Sequence, residues 1–331
     1  MKLRKILSHT GPQVEALGQN GWVSLGQLSR IKQIAQDYAV TPNLAEDTLS
    51  VLQLGSAGWQ DLQAEVDSHP CSANQDATIT LPIAPRSYRD FMLFENHVIN
   101  ASRGYLKRFN PGMLKITSLY EKVRGKTFPK FLPKALWYQQ PIYYFGNHLN
   151  FLAHEQDIPW PSYTDALDYE LELGAILAKP LLNASSEEAE KSIGGFVVFN
   201  DVSARDVQVD EMHSGFGPQK AKHFISTMSD TLVTSDEVLP NVKRLSGSVS
   251  INGSTVAHCC MGEMKYSFGE ILAFASKDEQ LHPGELFGTG TLPGGSGMEN
   301  GHWLKPGDAL TMNITGIGKV SNTITEKGML S

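Results

Sequence analysis

Over most of the chain, apolar positions recur with the two-residue period of strands, and only a few stretches carry the helical repeat. After strand-like opening segments, residues 25–38 place Leu25, Leu28, Ile31, Ile34 and Ala35 near the helical period, which predicts a helix. A second helix is expected over residues 57–66, entered after Gly55-Ser56. The polar run from Cys71 to Ala77 reads as a linker. A small N-terminal domain is therefore expected over residues 1–78 and a larger one over 79–331.

Beyond that boundary the signals are mainly strand. Gly195-Phe196-Val197-Val198-Phe199 reads as a strand buried on both faces. Residues 248–251, the pair Asn252-Gly253 and residues 255–257 predict a hairpin, because Asn-Gly tolerates positive φ. Residues 309–314 and 320–324 predict a second hairpin around Thr315-Gly316-Ile317-Gly318. Residues 267–276 have helix character, with Ile271, Leu272 and Phe274 on one face. Many strands without regular β–α alternation predict an α+β fold, mostly β.

Composition narrows the setting. The 331 residues are 41% hydrophobic and 19% charged, an ordinary globular balance. A formal charge of −7 leaves no electrostatic footprint for nucleic acid. No apolar run is long enough to span a membrane, and only Ile6 and Leu7 follow the basic opening, too short for a signal peptide. Cys71, Cys259 and Cys260 make a poor disulfide framework, so a reducing, cytoplasmic setting is expected. Two nucleotide-loop look-alikes fail on spacing. Gly125-Lys126-Thr127 has Tyr120 where a phosphate loop needs Gly, and the run from Gly288 has Pro293 where a dinucleotide loop needs its third Gly.

The candidate chemistry is acidic. In Leu167-Asp168-Tyr169-Glu170-Leu171-Glu172-Leu173 the alternation puts Asp168, Glu170 and Glu172 on one strand face. Like charges so placed repel unless a cation sits among them, although a solvent-facing acidic edge fits the segment equally well. Asp201 ends the buried strand, where a carboxylate must be paired, coordinated or used as a helix cap. Oxygen ligands without clustered Cys or His point to Mg²⁺, Ca²⁺ or Mn²⁺ rather than zinc.

Five motifs in order then become specific. They are Ser87-Tyr88-Arg89-Asp90-Phe91 with His97 seven residues after Asp90, the segment from Asp168 to Glu172, and the segment from Asn200 to Gln208. The last two are Lys222 in its Gly-Pro-Gln-Lys turn and the run from Gly288 through Gly297-Met298-Glu299. From about residue 80 onward the chain resembles the fumarylacetoacetate hydrolase family. That resemblance implies a C-terminal mixed β-roll behind a small N-terminal domain, a homodimer, and hydrolysis of a C–C bond in a β-diketo acid of the kind met in aromatic amino acid catabolism. It implies metal ligation by Asp90, Glu170, Glu172 and Asp201, with Mg²⁺ or Ca²⁺ first and Mn²⁺ next. His97 is implied as general base, Glu299 as the carboxylate that supports it, and Lys222 as a cation beside the metal. Arg205, Gln208, Thr291 and Tyr144 are implied to face the substrate.

The chain also departs from that family. Met92 and Met212 stand where fumarylacetoacetases carry tyrosines, and Leu106 where they carry an arginine, leaving Arg103 and Lys107 as nearby cations. Residues 105–133, rich in Lys, Arg and Pro, are expected to form a longer surface loop rather than a lid. Two other functions stay open: decarboxylation, hydration or isomerisation of a keto acid on the same scaffold, and a non-catalytic ligand-binding protein.

Overall fold

The computed structural model describes residues 1–41, 43–72, 77–262 and 264–328. Among these residues the largest sheet has twelve strands. Along the main path run Gly21–Ser24, Gly11–Gly18, Lys2–Ser8, Leu232–Thr234, Ile193–Asn200, Leu171–Leu177, Leu286–Gly288, Tyr88–Phe91 and Tyr143–Phe145. Neighbours on this path are antiparallel except Leu286–Gly288 and Tyr88–Phe91, which run parallel. The sheet is thus mixed, and the α+β, strand-rich class expected from the pattern is the one observed. It also crosses the boundary expected near residue 78, since Lys2–Ser8 pairs both with Leu232–Thr234 and with Thr78–Ile79. Of the expected linker, residues 73–76 lie outside the described residues.

Ile193–Asn200 is buried along its whole length. Its alternate side chains serve two cores: Phe196 and Val198 pack with Leu173, Met312 and Ile314, while Val197 and Phe199 pack with Leu3, Leu52 and Leu286. A strand buried on both faces needs no polar side, which explains its unbroken apolar run. The second layer is a five-stranded sheet in the order Ser254–Cys260, Ser246–Ile251, Ala309–Ile314, Gly318–Lys327 and Ile158–Trp160. Both expected hairpins lie in it, and the first turns at Asn252 (φ 52°) and Gly253 (φ 77°). The expected late helix is Phe268–Ala275, opened by a Ser267–Glu270 capping box.

Two local expectations fail. Residues 25–38 are not one helix but a 3₁₀ turn, Leu25–Gln27, and a shorter helix, Ile31–Asp37. Residues 105–133 are not a loop: helix Glu95–Phe109 runs into helix Pro111–Arg124 and a 3₁₀ turn at Pro129–Phe131. Asn110 caps the second helix, Pro111 opens it and Gly125 closes it in the left-handed region, an ordinary set of helix signals. Its apolar residues Ile116, Leu119 and Val123 face outward, at 62%, 62% and 72% exposure. No helix among the described residues is long and apolar enough to cross a membrane.

Helix Glu95–Phe109 crosses the short helix Gly297–Asn300 at Gly104. A Cβ there would lie 1.7 Å from the Met298 carbonyl oxygen, so only glycine allows the approach. Gly104→Ala is expected to cost about 1–3 kcal/mol by forcing the helices apart. The check is the urea unfolding midpoint, and an unchanged midpoint would contradict this packing.

Candidate metal centre and catalytic dyad

Adjacent strands deliver the carboxylates. Asp90 on Tyr88–Phe91 stands opposite Gly288, which stands opposite Gly174 on Leu171–Leu177; Glu172 lies two residues before Gly174. Asp201 follows the last residue of Ile193–Asn200. Gly288 makes room for the cluster, because a Cβ there would lie 2.6 Å from Asp90 Oδ1 and 3.2 Å from Glu172 Oε2. Asp90, Glu172 and Asp201 each present an oxygen within 4.8 Å of the others.

All three are buried. Burial, then the neighbouring carboxylates, holds Asp90 and Glu172 well above the usual carboxylate range. Asp201 is also raised by burial, although Lys222 opposes it. Both Glu172 oxygens and Asp201 Oδ1 are buried without a hydrogen-bond partner. Hard oxygens crowded together and left without donors fit a hard divalent cation, which would relieve the repulsion and occupy the orphaned acceptors.

Glu170 lies beside this trio rather than within it. The alternation breaks around it: Leu167–Asp168 and Leu171–Leu177 are separate strands, and Asn200 and Asp201 clamp the Glu170 backbone between them. Its Oε1 accepts from Arg205 Nη2 at 2.6 Å, and its Oε2 accepts from Lys222 Nζ. Burial alone would raise its pKa, but Arg205, Lys222 and His97 outweigh burial and hold it below the usual range. Lys222 Nζ also donates to Asp201 Oδ2, which accepts from the Tyr144 hydroxyl at 2.6 Å. Burial would lower Lys222, yet Asp201 and Glu170 raise it, so it stays charged.

His97 sits in the first turns of helix Glu95–Phe109 and is buried. Its Nδ1 donates to Glu299 Oε2 at 2.8 Å, and its Nε2 lies 3.7 Å from Glu170 Oε1. Glu299 is itself held, accepting from Gly294 N–H and Ser296 Oγ–H, both at 3.0 Å. Burial would lower the His97 pKa, but the charge and hydrogen bond of Glu299 raise it. An imidazole so held has a fixed tautomer, with Nε2 free to accept a proton beside the carboxylate cluster.

The structure thus brings together ten of the residues singled out in the sequence. Gln208 belongs through Arg205, accepting from its Nη1 at 2.9 Å. Thr291 is buried in the segment after Gly288, but its hydroxyl makes no hydrogen bond to the cluster. Arg103 is used elsewhere, bound to Glu121 at 2.9 Å and Asn100 at 3.1 Å. Asp168, expected on one strand face with Glu170 and Glu172, instead turns away from the trio and binds Arg205 Nε at 2.8 Å, because the strand breaks between them. Sequence reasoning missed Ser296 and Gly294, whose only signal was their closeness to Glu299 in a Gly-rich run.

Residues 122–325 match the family model described as fumarylacetoacetate (FAA) hydrolase C-terminal. The chain is 29% identical over 187 residues to a mitochondrial oxaloacetate tautomerase of Xenopus laevis, covering 56% of this chain and 58% of that protein. It is 30% identical over 227 residues to the fumarylacetoacetate hydrolase domain-containing protein 2 homolog of Dictyostelium discoideum, covering 65% and 72%. The matched region therefore spans little more than half of the frog protein. A fumarylacetoacetate hydrolase structure from Exiguobacterium antarcticum superposes with a TM-score of 0.66 at 19% identity, covering 98% of this chain and 99% of that one, a likeness of fold.

A cation bound only by the native cluster stabilises it by mass action, about 2.7 kcal/mol at a hundredfold excess over Kd, or roughly 4 °C in Tm for a chain of this length. Mn²⁺ is expected to produce such a rise in a thermal melt. Glu172→Gln removes a repelled buried charge, so it should melt no lower than wild type without metal and lose the Mn²⁺ response. A variant that kept the response would remove Glu172 from the site.

Proposed function

The chain belongs to the fumarylacetoacetate hydrolase family, and we propose that it is a metal-dependent enzyme that moves a proton on a small β-dicarbonyl 2-keto acid. Support comes from one observation above the others: His97 is clamped at Nδ1 by Glu299 while Nε2 faces the carboxylate cluster.

Asp90, Glu172 and Asp201, with Glu170 alongside, are the residues that would hold the ion, with Mg²⁺, Mn²⁺ or Ca²⁺ as candidates. When bound, such an ion supplies Lewis acidity toward the oxygens of a chelating keto acid. Glu299 keeps the proton on Nδ1, so Nε2 is the acceptor. His97 takes the proton from the carbon between the carbonyls, or from a water molecule that attacks one of them. Lys222, between Glu170 and Asp201, contributes a fixed positive charge where negative charge develops. Arg205, Gln208, Tyr144 and Thr291 are proposed to shape the substrate side, with Tyr144 also orienting Asp201.

Keto–enol tautomerisation needs the first of these transfers and the return of that proton from His97 Nε2 to the enolate oxygen. It is the first reading, favoured by the activity named for the frog relative. Hydrolysis of a C–C bond, the expectation from sequence, needs the second and is favoured by the same fixed base. A homodimer and the division at residue 78 are proposed with it.

Oxaloacetate and an acylpyruvate, each with Mg²⁺ or Mn²⁺, separate the two reactions: loss of enol absorbance without new acids marks tautomerisation, and release of pyruvate together with a second carboxylic acid from the acylpyruvate marks hydrolysis. On whichever substrate turns over, His97→Ala should lose roughly two to four orders of magnitude in kcat. Glu299→Gln should lose less, and both should keep the Mn²⁺-dependent rise in Tm. Near-normal turnover by His97→Ala would overturn the proposal.

A further inference from the structure

Asp168 is fully buried and takes no part in the chemistry above. Its Oδ1 accepts the backbone N–H groups of Tyr169 at 2.9 Å and Gly297 at 2.8 Å. Its Oδ2 accepts the Met298 N–H at 3.1 Å and Arg205 Nε–H at 2.8 Å. Four donors from three separate segments therefore end on one carboxylate.

Two of those donors are the open amides of the first turn of helix Gly297–Asn300, the helix that carries Glu299. The third segment is Arg205, whose other arm holds Glu170 at 2.6 Å. The fit is close: a Cβ on Gly297 would lie 2.4 Å from Asp168 Oδ1. On the other side of the same helix, Gly104 lets the His97 helix approach the Met298 carbonyl. The distance between His97 and Glu299 is thus set from two directions, by Gly104 and by Asp168.

We infer that Asp168 is a positioning residue that sets Glu299, and through it the tautomer and aim of His97, while holding Arg205 against Glu170. It touches neither His97 nor the acidic trio. The inference deepens the proposed function and takes the base from it, but its geometry can be read without any substrate.

Asp168→Asn is the direct test. An amide offers one acceptor oxygen in place of two, and its NH₂ group faces donors, so part of the four-donor set is lost whichever way it is turned. In protein labelled with ¹⁵N-histidine, the His97 Nδ1–H bonded to Glu299 should give a downfield proton resonance, assigned by its loss in His97→Ala. Asp168→Asn should lose or broaden that resonance in a folded protein and lower kcat roughly a hundredfold, with KM changed far less. Gly297→Ala, which presses a methyl group against Oδ1, should reproduce the spectral loss. Asp206→Asn serves as the control; Asp206 lies on the Arg205 helix and accepts from Thr164 Oγ1 and Asp165 N–H, and its variant should leave the resonance in place.

Retention of the resonance in either folded variant, or its loss only together with the dispersed methyl spectrum, would assign Asp168 to stability alone and overturn the inference. Spectral loss as expected, in a protein whose wild type turns over neither keto acid, would sink the proposed function and leave this inference standing.

Discussion

Like-charge repulsion among carboxylates withheld from water is the constraint on which the rest of the site depends. Asp90, Asp168, Glu170, Glu172, Asp201 and the Glu299 side chain are buried, and the cationic side chains among them are Arg205 and Lys222. The two cations are spent on Asp168, Glu170 and Asp201, and Glu299 has His97 and local donors. Asp90 and Glu172 are left crowded against Asp201, where burial raises both. Removing either cation would strand a buried charge at a cost of several kcal/mol, so the arrangement is a specification rather than a source of stability. A divalent ion bound there would complete the balance that the protein leaves open.

The fold makes that crowding bearable. Asp90 and Glu172 stand on strands, and Asp201 directly after one, whose other side chains fill two apolar cores, so the backbone cannot yield to the repulsion. Glycine at 288 brings Asp90 and Glu172 together, and glycine at 104 lets the His97 helix approach the helix that carries Glu299. The two functional groups, acidic trio and imidazole dyad, meet at Glu170, which contacts Lys222, Arg205 and His97. Positions of this kind depart from local preference because chemistry requires it.

Much of this was legible in the sequence where the physics is local. The buried strand before Asp201, both hairpins and the capped helix after Ser267 follow from period and turn chemistry. The acidic alternation pointed to the right segment but not to its break. Asp168 and Glu172 face different partners because Asn200 and Asp201 hold the Glu170 backbone, a long-range contact that no local pattern carries. Helix Pro111–Arg124 was hidden for another reason: its basic residues suggested a loop, while its apolar stripe points outward and so contributes nothing to a core. Its Asn-Pro opening and Gly ending were present all along. Arg103 was equally unreadable, since its pairing with Glu121 depends on two helices crossing.

Asp90, Glu172 and Asp201 are proposed to form one cation site beside His97. An anomalous difference map from crystals grown with Mn²⁺ tests it most directly. A single strong peak bonded to oxygens of all three carboxylates is expected, with the His97–Glu299 hydrogen bond intact. Absence of a peak there at saturating Mn²⁺, or an ion bound on other residues, would contradict it.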